Sequence, residues 1–382
     1  MKNSGGFLDG VLQLSNGLKM KGSFLGSEKI GTGELVFTTG MVGYTQALTD
    51  PSYFGQILVF TYPLMGNYGV PRSTDILDNI FGLESEAIKV AGVVMSQDST
   101  DAYHWASKNT LEEWLRAHSI PALTGVDTRL LTQLIRDENK DLLAAVGPSG
   151  LFDRWSGPFY NPNEQNLLPE VSVKQRKIFG NGKKRVALID CGVKWNIVRE
   201  LLRLNCEVEV LPWDTDFKSV DADGWLISNG PGDPKQTGDL LSRLTPLFEV
   251  TQPVLGICLG FQLMALANGA QTRKLKFGHR GHNQPVELLG HPGHEKKYGF
   301  MTSQNHGFEV IEDSLPSGWS PWFRHVNDHT LEGIKCDDKP FRGVQFHPEA
   351  AAGPQDTSWI LEEFVNDLGH GGTFLERKVR AV

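Results

Sequence analysis

Cysteine is scarce in this chain of 382 residues: only Cys191, Cys206, Cys258 and Cys336, irregularly spaced and without a CxxC pair. That excludes a disulfide framework and points to a reducing, cytoplasmic setting. Long hydrophobic runs are missing as well. No stretch has the length and apolarity of a membrane span, and the opening MKNSGGFLDGVLQLSNG has no apolar run behind Lys2, so no signal peptide is expected. Positive charge is not in excess: 37 Lys and Arg against 45 Asp and Glu give a net charge of −8. This is the wrong sign for a general nucleic-acid binder and leaves small molecules and protein partners open. There is no GxxxxGK[ST] phosphate loop and no repeat of fixed period. The 42 glycines are dispersed, which excludes low complexity. What remains, 40% hydrophobic and 21% charged, is the composition of a globular protein, with length for about two domains.

The first part of the chain reads as short strands and turns. Residues 11–14, 33–39 (GELVFTT), 56–61 (QILVFT) and 88–95 (IKVAGVVM) carry the β-branched and apolar residues of buried strands. Two amphipathic helices follow, over 110–118 with Thr110 and Glu113 spaced as a capping box, and over 127–136 behind an Asp127 cap. Residues 146–184 turn to Pro, Gly, Asn and Lys and read as a linker between a domain at 1–145 and another at 185–370. From Arg185 the pattern is strand–helix–strand: strands over 185–190, 207–211, 225–228 and 253–257, helices over 194–204 and 259–267. The fold class is therefore α/β, an open, mostly parallel C-terminal sheet with flanking helices behind a separate β-rich α/β N-terminal domain. Sites in such a sheet belong at the carboxyl ends of the strands.

Three motifs carry chemistry. The first is Gly256-Ile257-Cys258-Leu259-Gly260, a nucleophile between a buried strand and a helix with glycine on both sides of a tight turn. The helix start favours a thiolate there, and the Leu259 N–H faces the place of a developing oxyanion. Taken alone, the same five residues suit a buried core cysteine equally well. The second is Phe346-His347-Pro348-Glu349 after the strand-like 343–346, where a histidine and a carboxylate two apart on extended chain face one side. Such a pair can supply a general base and its orienting carboxylate; by itself it is more often a surface histidine beside a surface acid. Together they favour a triad of Cys258, His347 and Glu349. The third is Ser228-Asn229-Gly230-Pro231-Gly232-Asp233-Pro234 after a strand, whose glycines let backbone N–H groups approach a ligand.

GICLGFQL, SNGPGDP and FHPE together resemble a class I glutamine amidotransferase domain. TTGMVGY (38–44), LTDPSY (48–53), TYPLMGNYG (61–69), GVDTRLLT (125–132), RGHNQPV (280–286) and SQNHGF (303–308) narrow the resemblance to the small, glutaminase subunit of carbamoyl phosphate synthetase and the equivalent region of the fused animal enzyme. The resemblance implies that Cys258 attacks the side-chain amide of L-glutamine, that His347 moves the protons, and that Glu349 orients it. It implies an oxyanion hole from the N–H groups of Leu259 and Gly230. It also implies glutamine contacts at Ser52, Gly230, Gly232, Leu259, Gln262, Asn305, Gly307 and Phe308, at the domain junction. No metal or cofactor is expected on this chain. ATP and magnesium would belong to a large-subunit partner that makes carbamoyl phosphate for arginine or pyrimidine synthesis.

Phe261 departs from the pattern, standing where family members often have histidine, and is assigned to packing. Residues 371–382 read as a tail. The pairs His279 and His282, His291 and His294, and His325 and His329 lie in Gly/Pro-rich loops without a completing acid or cysteine cluster and read as loop histidines. Cys191 lacks a partner base and reads as a packed residue. Rival readings are a non-hydrolysing scaffold subunit, an amidotransferase serving another synthetase, and a cysteine peptidase on a similar sheet. The intact triad, the N-terminal strings, and the pairing of Gln262 with SQNHGF argue against them in turn.

Overall fold

The computed structural model describes residues 8–71, 82–138, 141–289 and 298–369. His291, His294 and the 371–382 tail fall outside these. The chain divides into two compact units. The first is Met1–Leu167 with Pro231–Gln236 and Leu275–His282; the second is Leu168–Gly230, Thr237–Lys274 and Asn283–Val382. The break between Leu167 and Leu168 lies inside the segment read as a linker, and the strand Leu143–Pro148 runs across the position 145 boundary.

The first unit is built on a closed barrel of seven strands, a feature that the sequence reading did not include. In order around it are Leu8–Leu14, Leu143–Pro148, Gly31–Thr38, Gln56–Phe60, Gly92–Val94, Pro121–Thr124 and Lys19–Gly26. The run from Gly31–Thr38 to Pro121–Thr124 is parallel and the other pairings are antiparallel. Alternate side chains of these strands enter two different cores. Leu35, Ile57, Val59, Val94 and Leu123 pack with Leu131 of the helix Thr128–Asp137. Val36, Leu58, Phe60, Val93 and Ala122 pack with Leu111, Trp114 and Leu115 of the helix Leu111–Ala117. Strands buried on both faces have no polar side, so their sequences read as continuous apolar runs. Both helices carry the expected caps: Thr110 and Glu113 form the capping box, and the Asp127 side chain accepts from the Leu130 N–H.

The second unit holds a ten-stranded sheet. Five consecutive strands are parallel: Cys206–Pro212, Lys184–Asp190, Gly224–Ile227, Val254–Ile257 and Phe341–Val344. Beyond Phe341–Val344 the pairing turns antiparallel, starting with Leu331–Cys336 and including Trp319–His325. The helix Leu259–Ala267 is apolar apart from Gln262, and Leu259 through Ala265 are buried, as befits a helix enclosed by its own domain. Phe261 is wholly buried in this core, as its packing assignment requires. All four cysteines are free and buried, and no helix among the described residues is long and apolar enough to cross a membrane.

Candidate active site

The parallel strands bring the motifs of the second unit to one edge. Ile257 is in register with Val344, so the residues that follow, Cys258 and Gln345, leave the sheet side by side. The Cys258 N–H still donates to the Val344 carbonyl at 2.8 Å. Cys258 then turns the chain with φ 54° and ψ −105° and caps the helix Leu259–Ala267. A non-glycine residue in this region is strained, as a nucleophile elbow requires. The flanking glycines are sterically obligatory. A Cβ on Gly260 would lie 2.0 Å from the Ile227 carbonyl oxygen, and one on Gly256 would lie 2.7 Å from the Gly260 carbonyl carbon.

His347 arrives three residues beyond the strand Phe341–Val344, which ends two residues earlier than expected. Its backbone pairs with Ser303, donating to the Ser303 carbonyl at 2.9 Å. The Nδ1 of His347 lies 2.7 Å from Glu349 Oε1. A carboxylate only accepts, so Nδ1 carries the proton and Nε2 is turned to chemistry. Nε2 is buried without an aligned hydrogen bond, and the Cys258 thiol interacts with the ring. The sulfur also donates to the Asn305 carbonyl at 3.7 Å.

The electrostatics are those of a buried ion pair. Burial is the largest single influence on His347 and pushes it down, as does the Lys194 charge, but the Glu349 charge, the nearby Cys258 thiol and the hydrogen bond to Glu349 together outweigh them and bring the imidazole up to about 10. Burial raises Glu349, yet the Lys194 ammonium and then His347 hold it down at about 2. Lys194 Nζ sits 3.1 Å from Glu349 Oε1 and donates to the Ala350 carbonyl at 2.9 Å. Asn196 Nδ2 donates to the Glu349 carbonyl at 2.6 Å. An imidazolium–carboxylate pair next to a thiol can hold that thiol's proton and release it to a leaving group. At Cys191, which follows the strand Lys184–Asp190, burial first, then the Asp190 charge, pushes the thiol up, which suits the packed residue expected.

Residues 12–144 match the family model "Carbamoyl-phosphate synthase small chain, CPSase domain", and residues 187–367 match "Glutamine amidotransferase class-I". The chain thus resembles a carbamoyl-phosphate synthase small-chain domain followed by a class I glutamine amidotransferase domain. It is 44% identical over 359 residues to "Multifunctional protein CAD" of Squalus acanthias, covering 93% of this chain and 16% of that protein. It is 41% identical over 363 residues to "Carbamoyl-phosphate synthase [ammonia], mitochondrial" of Rattus norvegicus, covering 94% and 24%. It is 43% identical over 391 residues to "Multifunctional protein URA2" of Saccharomyces cerevisiae, covering 93% and 17%. The chain thus spans about a quarter or less of the length of these curated relatives.

Of the glutamine contacts implied by the family resemblance, Gly230, Leu259, Gln262, Asn305, Gly307 and Phe308 belong to the second unit, and Ser52 and Gly232 to the first. Gly230 adjoins the elbow: a Cβ there would meet Leu259 Cδ2 at 2.7 Å and the Cys191 carbonyl oxygen at 2.1 Å. Ser52 lies in the turn Pro51–Tyr53, where its N–H donates to Asp50 Oδ1. Gln262 is buried, and its amide nitrogen is committed to the Phe308 carbonyl at 3.0 Å and to Gln345 Oε1 at 2.9 Å. His279, His282 and His325 are not the loop histidines expected: the first two lie in the strand Thr272–Leu288 and His325 ends the strand Trp319–His325, with acids nearby that the sequence did not reveal, and His325 is buried with Nε2 on Gln284 Oε1 at 3.0 Å and Nδ1 near Asp328 at 3.1 Å.

Two residues at the site escaped sequence reasoning. Lys194 gave no signal, because most lysines are surface residues. Gln345 stands two residues before His347 and four before Glu349, a spacing that the sequence shows, although the chain bends at 345–346 and turns over 347–350 where extended chain was expected.

Proposed function

We propose that this chain hydrolyses L-glutamine to glutamate and ammonia and passes the ammonia to an ATP-dependent synthetase that makes carbamoyl phosphate. Its product would then serve arginine or pyrimidine synthesis. The observation that carries this reading is the junction of the Cys258 elbow with the buried His347–Glu349 pair on the neighbouring strand end. Likeness alone supports either nitrogen source, because the rat relative's name specifies ammonia. A nucleophile with its base and orienting carboxylate favours glutamine.

In the proposed cycle the Cys258 thiolate adds to the γ-carboxamide carbon. The oxyanion is received by the N–H groups of Leu259 and Gly230. As the C–N bond breaks, the His347 imidazolium protonates the departing nitrogen, and ammonia leaves a thioester. Neutral His347 then takes a proton from water, whose oxygen attacks the thioester carbon. Collapse of the second oxyanion expels the thiolate and releases glutamate. Cysteine suits a poor electrophile because it divides the hydrolysis into two acyl transfers that share one oxyanion site. Glutamine contacts are assigned to Ser52, Gly230, Gly232, Leu259, Gln262, Asn305, Gly307 and Phe308. ATP and magnesium are assigned to the synthetase, as a separate large subunit or as further chain.

The test is glutaminase activity and carbamoyl phosphate formation by wild type and Cys258→Ser, each with the synthetase. The variant should lose glutamine hydrolysis by on the order of 10³ or more and still support synthesis from added ammonium. Full glutamine-dependent activity in Cys258→Ser would overturn the assignment.

A further inference from the structure

The amide of Gln345 is wholly buried beside the elbow, and its orientation can be deduced rather than assumed. The Phe308 carbonyl can only accept, so the Gln262 group facing it at 3.0 Å is the NH₂. That nitrogen's second hydrogen reaches Gln345 at 2.9 Å, so the Gln345 atom there must be the carbonyl oxygen. The other end of the same amide, Nε2, therefore faces Cys258 Sγ, at 3.7 Å. The Gln345 backbone is held as well, its N–H donating to the Glu332 carbonyl at 2.8 Å. Reversing either amide would set two donors or two acceptors against each other in a buried place, at the cost of unmade hydrogen bonds.

The sulfur thus lies between two opposed partners. The Asn305 carbonyl accepts from it at 3.7 Å and favours the neutral thiol. The Gln345 N–H points at it and favours the anion. We infer that Gln345 is a preorganised donor to the Cys258 thiolate, locked in orientation by Gln262. It would stabilise the attacking sulfur in the first step and the departing sulfur when the thioester is hydrolysed. A fixed dipole in a water-excluded site needs no reorganisation when the charge appears, which is where such donors act most strongly. The inference rests on Cys258 being the nucleophile of the proposed glutaminase. It gives Gln262 a supporting task, because both hydrogens of its amide are already engaged.

The experiment is the rate of iodoacetamide alkylation of Cys258 as a function of pH, without glutamine, in the full chain. The modified peptide is identified by mass spectrometry, and Cys258→Ser serves as the blank. In Gln345→Met, which keeps the volume and removes the donor, the half-maximal rate should move up by about one pH unit, about a tenfold slower reaction near neutrality. Gln345→Glu, nearly isosteric but presenting an acceptor, should move it at least as far. Gln262→Met, which frees the amide to turn, should move it in the same direction by less. A Gln345→Met curve superimposed on wild type overturns the inference. If that variant lacks a cooperative thermal transition, the Gln262→Met curve decides in the same way. A wild-type chain that alkylates at Cys258 but never hydrolyses glutamine would instead sink the proposed function, and the curves would still decide the role of Gln345.

Discussion

His347 and Glu349 share one proton economy, and their shifts give opposite pH signatures. The usual value for Glu349 is 4.5 and the folded value about 2. Its contribution to stability is therefore complete above about 4.5 and is lost as pH falls through about 2. His347 moves from 6.5 to about 10, so its contribution is complete below about 6.5 and is lost as pH rises through about 10. Glu349→Gln removes the largest of the influences that raise His347, while burial and Lys194, which lower it, stay. The imidazole should then lose its proton at lower pH, so the alkaline fall of kcat should begin earlier and kcat itself should drop by roughly 10² or more. A kcat profile from pH 6 to 10 checks this; an unmoved alkaline limb would show that Glu349 does not govern His347. Lys194→Met leaves the Glu349 carboxylate with His347 as its remaining charged partner in the buried site. Removing one partner of a buried pair costs about 3–5 kcal/mol; the lower end applies because His347 persists, and urea unfolding at pH 7 measures it.

At the level of elements, the elbow is a steric device before it is a chemical one. The Gly260→Ala methyl would meet the Ile227 carbonyl oxygen, which is backbone and cannot swing away. The strand Gly224–Ile227 or the helix Leu259–Ala267 has to shift, with an overpacking cost of about 1–3 kcal/mol. Glutaminase activity should fall far more than stability, because the Leu259 N–H moves with the helix; equal losses would reduce Gly260 to a packing residue. In the first unit, Thr110→Ala should cost about 1 kcal/mol by removing the Glu113 N–H acceptor, a mild thermal shift without effect on the glutaminase rate. Elements of this kind were legible because their signals are local: the capping box, the apolar helix after Cys258, and the buried strands over 185–190 and 253–257. The segment before His347 was less so. Residues 343–346 look like one strand, but Gln345 and His347 already pair with Glu332 and Ser303, leaving the parallel sheet for its antiparallel part. The strands Thr272–Leu288 and Tyr298–Val310 have many polar residues and irregular burial, so periodicity gave no sign of them. Lys194 was illegible because only tertiary structure sets a lysine against a buried carboxylate.

On the scale of the whole chain, a linear boundary could not describe the organisation. Pro231–Gln236 and Leu275–His282 group with the first unit although the sequence around them belongs to the second. Matches over 12–144 and 187–367 cover both units, yet the chain spans only 16–24% of the relatives reported. The proposed function assigns the synthetase chemistry to another subunit or to further chain, and under that proposal the nitrogen has to travel. Ammonia freed into water near neutral pH is mostly protonated and loses its nucleophilicity, so delivery without release is the efficient solution. The consequence can be measured with glutamine labelled with ¹⁵N at the amide, given to the chain and synthetase together beside excess unlabelled ammonium. Carbamoyl phosphate should carry the label nearly undiluted while ammonium competes poorly. In Cys258→Ser the label should vanish from the product and the unlabelled nitrogen should take its place. Dilution of the label in proportion to the ammonium pool would mean that the nitrogen passes through solvent, and that hydrolysis and synthesis are coupled by concentration alone.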